Sequence, residues 1–65
     1  MFELRAVELK TGDEFAVDSG DSWWKCVSRA GARVRARCVS SQDDAWHPGQ
    51  EESFLFFASD RVIVR

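Results

Sequence analysis

The chain has 65 residues, a formal charge of −2, and 45% hydrophobic against 31% charged residues. That balance excludes a disordered tail, the length holds one domain, and the acidic total excludes a domain-wide attraction for nucleic acid. A chain this short buries only about 60% of the surface its unfolded form exposes. Its core then contributes roughly 3–5 kcal/mol net unless a disulfide, a metal or a partner subunit adds to it, which keeps oligomerisation an open option from the start.

The first strand is expected over residues 2–8, ahead of a turn at Thr11, Gly12 and Asp13; a second follows over 14–18. Up to residue 24 the chain is acidic, with Glu3, Glu8, Asp13, Glu14, Asp18 and Asp21 against Arg5 and Lys10. The next turn, "DSGDS" at 18–22, leads into an expected strand over 23–30, and "AGA" at 30–32 turns into another over 33–40. Lys25, Arg29, Arg33, Arg35 and Arg37 fall in this central pair with no acid among them. No window shows a sustained helical period with caps.

Alternation registers the central pair. Pairing Ala30 with Val34 puts Ser28 opposite Ala36, Cys26 opposite Cys38 and Trp24 opposite Ser40, a small apolar face that is expected to point inward. The outer face then carries Lys25, Val27 and Arg29 on one strand and Arg33, Arg35, Arg37 and Val39 on the other, with Arg29 facing Arg35. Opposed Cys26 and Cys38 are within disulfide reach, although two buried free thiols are the expectation in a reducing cytosol. Two cysteines and one histidine make no zinc-ligand set, so no metal or cofactor is expected.

The acidic loop 40–50 holds Asp43, Asp44 and the "HPGQ" turn, where Pro48 and Gly49 suit the centre of a type II turn. His47 has no nucleophile or acid in any recognisable spacing, and the pairs Asp43/Asp44 and Glu51/Glu52 match no calcium loop, so no enzyme is expected. The last strands are expected over 53–57 and 61–65. In the first, Phe54 and Phe56 share one face and Leu55 and Phe57 the other; in the second, Val62 and Val64 oppose Ile63. Strands apolar on both faces need a cover for the second one. Trp23 and Trp24 pose the same choice, and Trp24 is taken as the inner residue.

Six short strands at these intervals predict an all-β domain, curled into a small SH3-like barrel of five to six antiparallel strands. "AVELKTGDEF", a "DSGDSWW" turn, a Gly-centred hairpin and "SFLFFASDRVIVR" together resemble the small SH3-like β-barrel proteins of actinobacteria and their phages. Leu9, Gly12, Asp13, Trp24, Phe54, Phe56, Val62 and Val64 carry the likeness, which implies a fold and a phage or bacterial accessory protein, not an activity. The opening is also similar to KOW-type ribosomal and transcription-factor modules. It lacks the glycine that follows their second strand, and their function is not carried over.

No leader, long apolar run or lipidation motif marks export or membrane insertion, so the expected location is the cytoplasm, of the host if the gene is a phage's. The expected role is a non-enzymatic interaction module with a protein partner or a second copy of itself. Its face would carry Trp23, Val27, Arg29, Arg35, Arg37, Leu55 and Phe57, because arginine stems cover apolar surface and arginine with large aromatics marks binding hot spots. The alternative is single-stranded or duplex nucleic acid on Lys25, Arg29, Arg33, Arg35 and Arg37. A plain reading stands beside both: a wet strand face whose arginines are neutralised by acids of residues 43–52. A structural part in a larger assembly such as a virion is a third class.

Overall fold

The computed structural model describes residues 1–17, 21–42 and 46–65. Asp18, Asp43 and Asp44, assigned above to turns and loop, lie outside the described residues. Among the described residues six strands form one antiparallel sheet: β1 (Phe2–Arg5), β2 (Glu14–Ala16), β3 (Ser22–Ala30), β4 (Arg33–Ser41), β5 (Glu51–Leu55) and β6 (Arg61–Val64). Their order is β1-β6-β2-β3-β4-β5, so β1 and β5 are the two edges and the ladder is not closed.

The first expected strand ends early. After Arg5 the chain makes a turn of 3-10 helix over Ala6–Glu8, anchored where the Ala6 N–H donates to the Asp60 carbonyl at 2.9 Å and the Leu9 N–H to the Ala6 carbonyl at 3.2 Å. A strand would send Ala6 and Leu9 to opposite faces; the three-residue period of the tighter helix brings both inward, and both are buried.

β3 and β4 are joined by a tight turn through Gly31 and Ala32. Gly31 has φ +61° and Ala32 has no positive φ, the pattern of a type II′ turn, whose twist matches that of the flanking strands. The observed register differs from the expected one. Ala30 faces Arg33, Arg29 faces Val34, Ser28 faces Arg35, Cys26 faces Ala36 and Trp24 faces Cys38. Irregularities between Cys26 and Ser28 and between Trp23 and Trp24 insert Val27 on β3 and Val39 on β4 as extra residues. The expected pairing took no account of bulges, which raise twist and bend the strand.

The faces change accordingly. Between the bulges the shift is two residues, which preserves faces, so Trp24, Cys26, Ala36 and Cys38 are buried as expected. Beyond Val27 the shift is one residue, which exchanges them. Ser28 therefore joins the arginine face and Arg29 joins the face of Val34. Cys26 and Cys38 are not opposite each other; both are buried free thiols.

Curling brings strands together that are far apart in the ladder. Phe15 on β2 lies edge-on to Phe54 and Phe56 from the opposite end of the sheet, with ring centroids 6.0 and 6.4 Å away. Trp24 meets Phe54 at 5.0 Å and Trp46 at 5.1 Å, so the third tryptophan also packs on the core. Ala6, Leu9, Ala16, Val34, Val62 and Val64 complete the buried set among the described residues. The "HPGQ" turn forms as read: Gly49 has φ +93° and the Gln50 N–H donates to the His47 carbonyl at 3.0 Å.

Candidate functional site

The alternation of β4 points Val34, Ala36 and Cys38 into the core and leaves Arg33, Arg35 and Arg37 exposed on the convex face. Each guanidinium has a different neighbour, set by the two adjoining strands. Arg37 stands between Lys25 of β3 and Glu51 of β5, Arg35 between Ser28 and Ser53, and Arg33 between Ala30 and Leu55.

Charge is uneven along this ladder. Glu51 accepts a hydrogen bond from Arg37 at 2.9 Å and lies 3.5 Å from Arg35. The bond from Arg37 is the main reason the Glu51 carboxyl is held below its ordinary range, with the charges of Arg37 and Arg35 adding to it. The acids of the neighbouring segment therefore act on two of the three arginines through Glu51. Arg33, at the hairpin end, has Leu55 as its β5 neighbour instead.

Leu55 is 71% exposed and Phe57 78% exposed, while Phe56 between them is buried. The backbone holds Phe57 in place: its N–H donates to Asp60 Oδ2 at 2.8 Å, and its carbonyl accepts from the Asp60 N–H at 3.0 Å. An exposed phenylalanine is thus carried on an ordered turn. Val27 is half-exposed at its bulge. A shallow open depression lined by Arg35, Glu51, Glu52 and Ser53 lies beside the middle of β5.

Of the seven residues assigned to a partner face, Arg35, Arg37 and Leu55 lie together on the β4–β5 ladder, with Phe57 just beyond the end of β5. Trp23 stands apart. It pairs with Ser40, far from the hairpin, roughly 24 Å along β4 from Arg33 at about 3.4 Å per residue. Its ring is covered by the Arg65 guanidinium at 4.1 Å, and that guanidinium also binds Glu14 at 3.0 Å. Arg29 also separates. Its Nε donates to the Leu9 carbonyl at 3.0 Å and its Nη1 to the Gly31 carbonyl at 2.9 Å, so it fastens the β3–β4 hairpin to the loop that follows the 3-10 turn. It does not face Arg35, because the Val27 bulge has moved it to the other face.

For the five residues assigned to nucleic acid, Lys25, Arg33, Arg35 and Arg37 share the convex face and Arg29 does not. Lys25 lies opposite Glu14 as well as Arg37, which puts an acid on each flank of the basic row. Two contributors were missing from the sequence reading of the partner face. Arg33 was legible in the alternation, but its value depends on Leu55 being beside it. Glu51 was read only as half of an acidic loop pair, and its register against Arg37 is a long-range property.

His47 is exposed and its backbone N–H donates to Gln50 Oε1 at 3.3 Å. Burial raises the thiol pKa values of both cysteines, and the Asp13 charge raises that of Cys26 further. Among the described residues no group of three His, Cys, Asp or Glu side chains could hold a metal ion, and no helix is long and apolar enough to cross a membrane. No known protein family, curated protein or solved structure matches the chain.

Proposed function

We propose that this chain is a non-enzymatic interaction module, an open SH3-like barrel that binds protein through the hairpin end of its convex face. The observation that carries the reading is the ordered exposure of Leu55 and Phe57 beside Arg33. An apolar pair on a fixed backbone costs little conformational entropy to bury, and the arginine stem extends the apolar area while its guanidinium supplies hydrogen bonds. Arg33, Arg35, Leu55 and Phe57 form the centre of the surface, with Arg37 and Val27 at its margin.

Protein is favoured over nucleic acid because of how the charge is arranged. A phosphate-tracking row needs unneutralised cations and accessible aromatic faces. Here Glu51 holds Arg37 and Arg35, Glu14 stands opposite Lys25, and the one tryptophan outside the core already has a cation on its ring. Cytoplasmic action and a phage or bacterial accessory role belong to the same proposal, supported by the sequence alone.

Affinity capture with three immobilised proteins tests the reading: wild type, Leu55→Asp and Phe57→Asp. Both substitutions fall on exposed positions and leave the fold intact, as a melting curve verifies. Proteins retained by the wild type, including added free copies of this chain, are expected to be lost from both variants. Identical retention by all three removes the patch from the binding surface, and salt-sensitive retention of oligonucleotides on all three transfers the reading to nucleic acid.

A further inference from the structure

The β5 edge is built differently from the β1 edge. Hydrogen-bonded pairs recur at every second position of an antiparallel ladder. The Cys38 N–H donates to the Gln50 carbonyl and the Phe56 N–H to the Ala32 carbonyl, both in register with the β4–β5 pairing. By that period Glu52 and Phe54 direct their backbone groups toward β4, while Glu51, Ser53 and Leu55 direct theirs outward, where no described strand pairs with them. The same argument at the other edge starts from Ala6, which bonds Asp60, and leaves Glu3 and Arg5 facing outward. Those two are charged and engaged, Glu3 with Arg61 at 3.6 Å and Arg5 with Glu8 at 3.2 Å, the usual guard of an exposed edge. At β5 the positions whose backbone faces outward hold one charge, Glu51, followed by Ser53 and exposed Leu55; the strand's other charge, Glu52, lies on the opposite face and accepts from Gln50 at 3.3 Å.

We infer that the partner of this surface is a second copy of the same chain, joined by antiparallel pairing of β5 with β5 about a two-fold axis at Ser53. The inference rests on the interaction reading above and specifies its partner. Two-fold pairing at Ser53 sets Glu51 of each copy opposite Leu55 of the other, and Glu52 opposite Phe54, so no acid meets an acid. Across the convex face the row then runs Arg33, Leu55, then Glu51 and Arg37 of the second copy. Each Leu55 is thereby flanked by a guanidinium on one side and a carboxylate on the other. Glu51, Ser53 and Leu55 exchange backbone bonds with Leu55, Ser53 and Glu51 of the second copy, the strand-addition mode of recognition. A parallel pairing in register would stack Glu51 on Glu51 and Glu52 on Glu52.

Sedimentation across about 1 to 500 µM, the range of weak specific association, is the first measurement. The wild type is expected to pass from monomer to dimer within it, and Ser53→Pro, which removes an outward N–H at an edge position that tolerates proline, is expected to weaken the dimer about tenfold or more. Because Ser53→Pro could lower stability, Ser53→Cys supplies an independent readout. A pair of thiols on the axis is within disulfide reach, so mild oxidation is expected to give a covalent dimer, whereas Lys10→Cys at an exposed site off the edge gives none. A wild type that stays monomeric throughout overturns the inference. So does a dimer indifferent to Ser53→Pro that Ser53→Cys fails to trap. Dimer loss on Leu55→Asp or Phe57→Asp without either Ser53 effect rejects strand pairing and leaves the interaction surface standing.

Discussion

Phe15 and Phe54 offer a direct energetic test of how far the sheet curls. The two residues sit on strands separated by β3 and β4 in the ladder, so a flat sheet with strands about 4.8 Å apart would hold them roughly 14 Å from one another. Curling sets their ring centroids 6.0 Å apart at an interplanar angle of 77°, an edge-to-face pair with Phe15 wholly buried. Such pairs contribute about 0.5–1.5 kcal/mol beyond their area. Phe15→Leu and Phe54→Leu each remove a ring and keep an aliphatic side chain, for about 1 kcal/mol apiece, which a domain of roughly 3–5 kcal/mol survives. With a urea slope near 1 kcal/mol/M, each single variant loses about 1 M in midpoint. The double variant is expected to lose less than the two together, the shortfall being the coupling. A control cycle pairing Phe15 with exposed Leu55 on the same distant strand is expected to be additive within about 0.5 kcal/mol. Additivity of Phe15 with Phe54 as well would mean that the strands do not meet across a common core.

Gly31→Ala is expected to destabilise by about 1–2 kcal/mol, read as a lower melting midpoint, because φ +61° is unfavourable for a residue with a β-carbon; the added atom meets nothing within 4 Å, so sterics beyond the backbone contribute nothing. Cys26 and Cys38 are expected to resist alkylation in the folded state and to react fully in denaturant, with mass spectrometry counting the adducts and finding no intramolecular disulfide; rapid labelling without denaturant would contradict their burial. Glu51 has a folded-state pKa below its ordinary 4.5, so its contribution to stability is complete above that value and is lost as pH falls through the lower folded one. Between those limits Glu51→Gln is expected to flatten the acid limb of the stability curve, and an unchanged limb would mean that the carboxylate gains nothing from Arg37 and Arg35.

The strand count, the strand boundaries to within a few residues, and the grouping of Phe54 with Phe56 and of Val62 with Val64 on single faces were legible because they follow from alternation, a local property of an extended chain; which face of β6 turns inward was not, and Val62 and Val64 are the buried pair. The 3-10 turn at Ala6 was not, because it depends on a hydrogen bond to Asp60 at the far end of the chain. Bulges at Val27 and Val39 likewise leave no mark in a pattern of residue types, and one of them moved Arg29 from the convex face to the other. Half of the candidate site was read from the arginine ladder and from the surplus Leu55 and Phe57. The separation of Trp23 and the partnership of Arg37 with Glu51 depend on register and curvature, which are decided between strands rather than along them. In three dimensions the arginine row of β4 is two guanidiniums held by Glu51 and a third, Arg33, beside exposed Leu55.

Site-directed photo-crosslinking in the cells that make the protein tests the central claim most directly. A photoreactive amino acid placed at Phe57 sits on the proposed surface, and one at Ser40 sits on an exposed position roughly 24 Å along β4 from Arg33, at the end opposite the hairpin. The account predicts discrete protein adducts from position 57, including the dimer of this chain, and none of them from position 40. Adducts absent at position 57, or the same set at both positions, would contradict it.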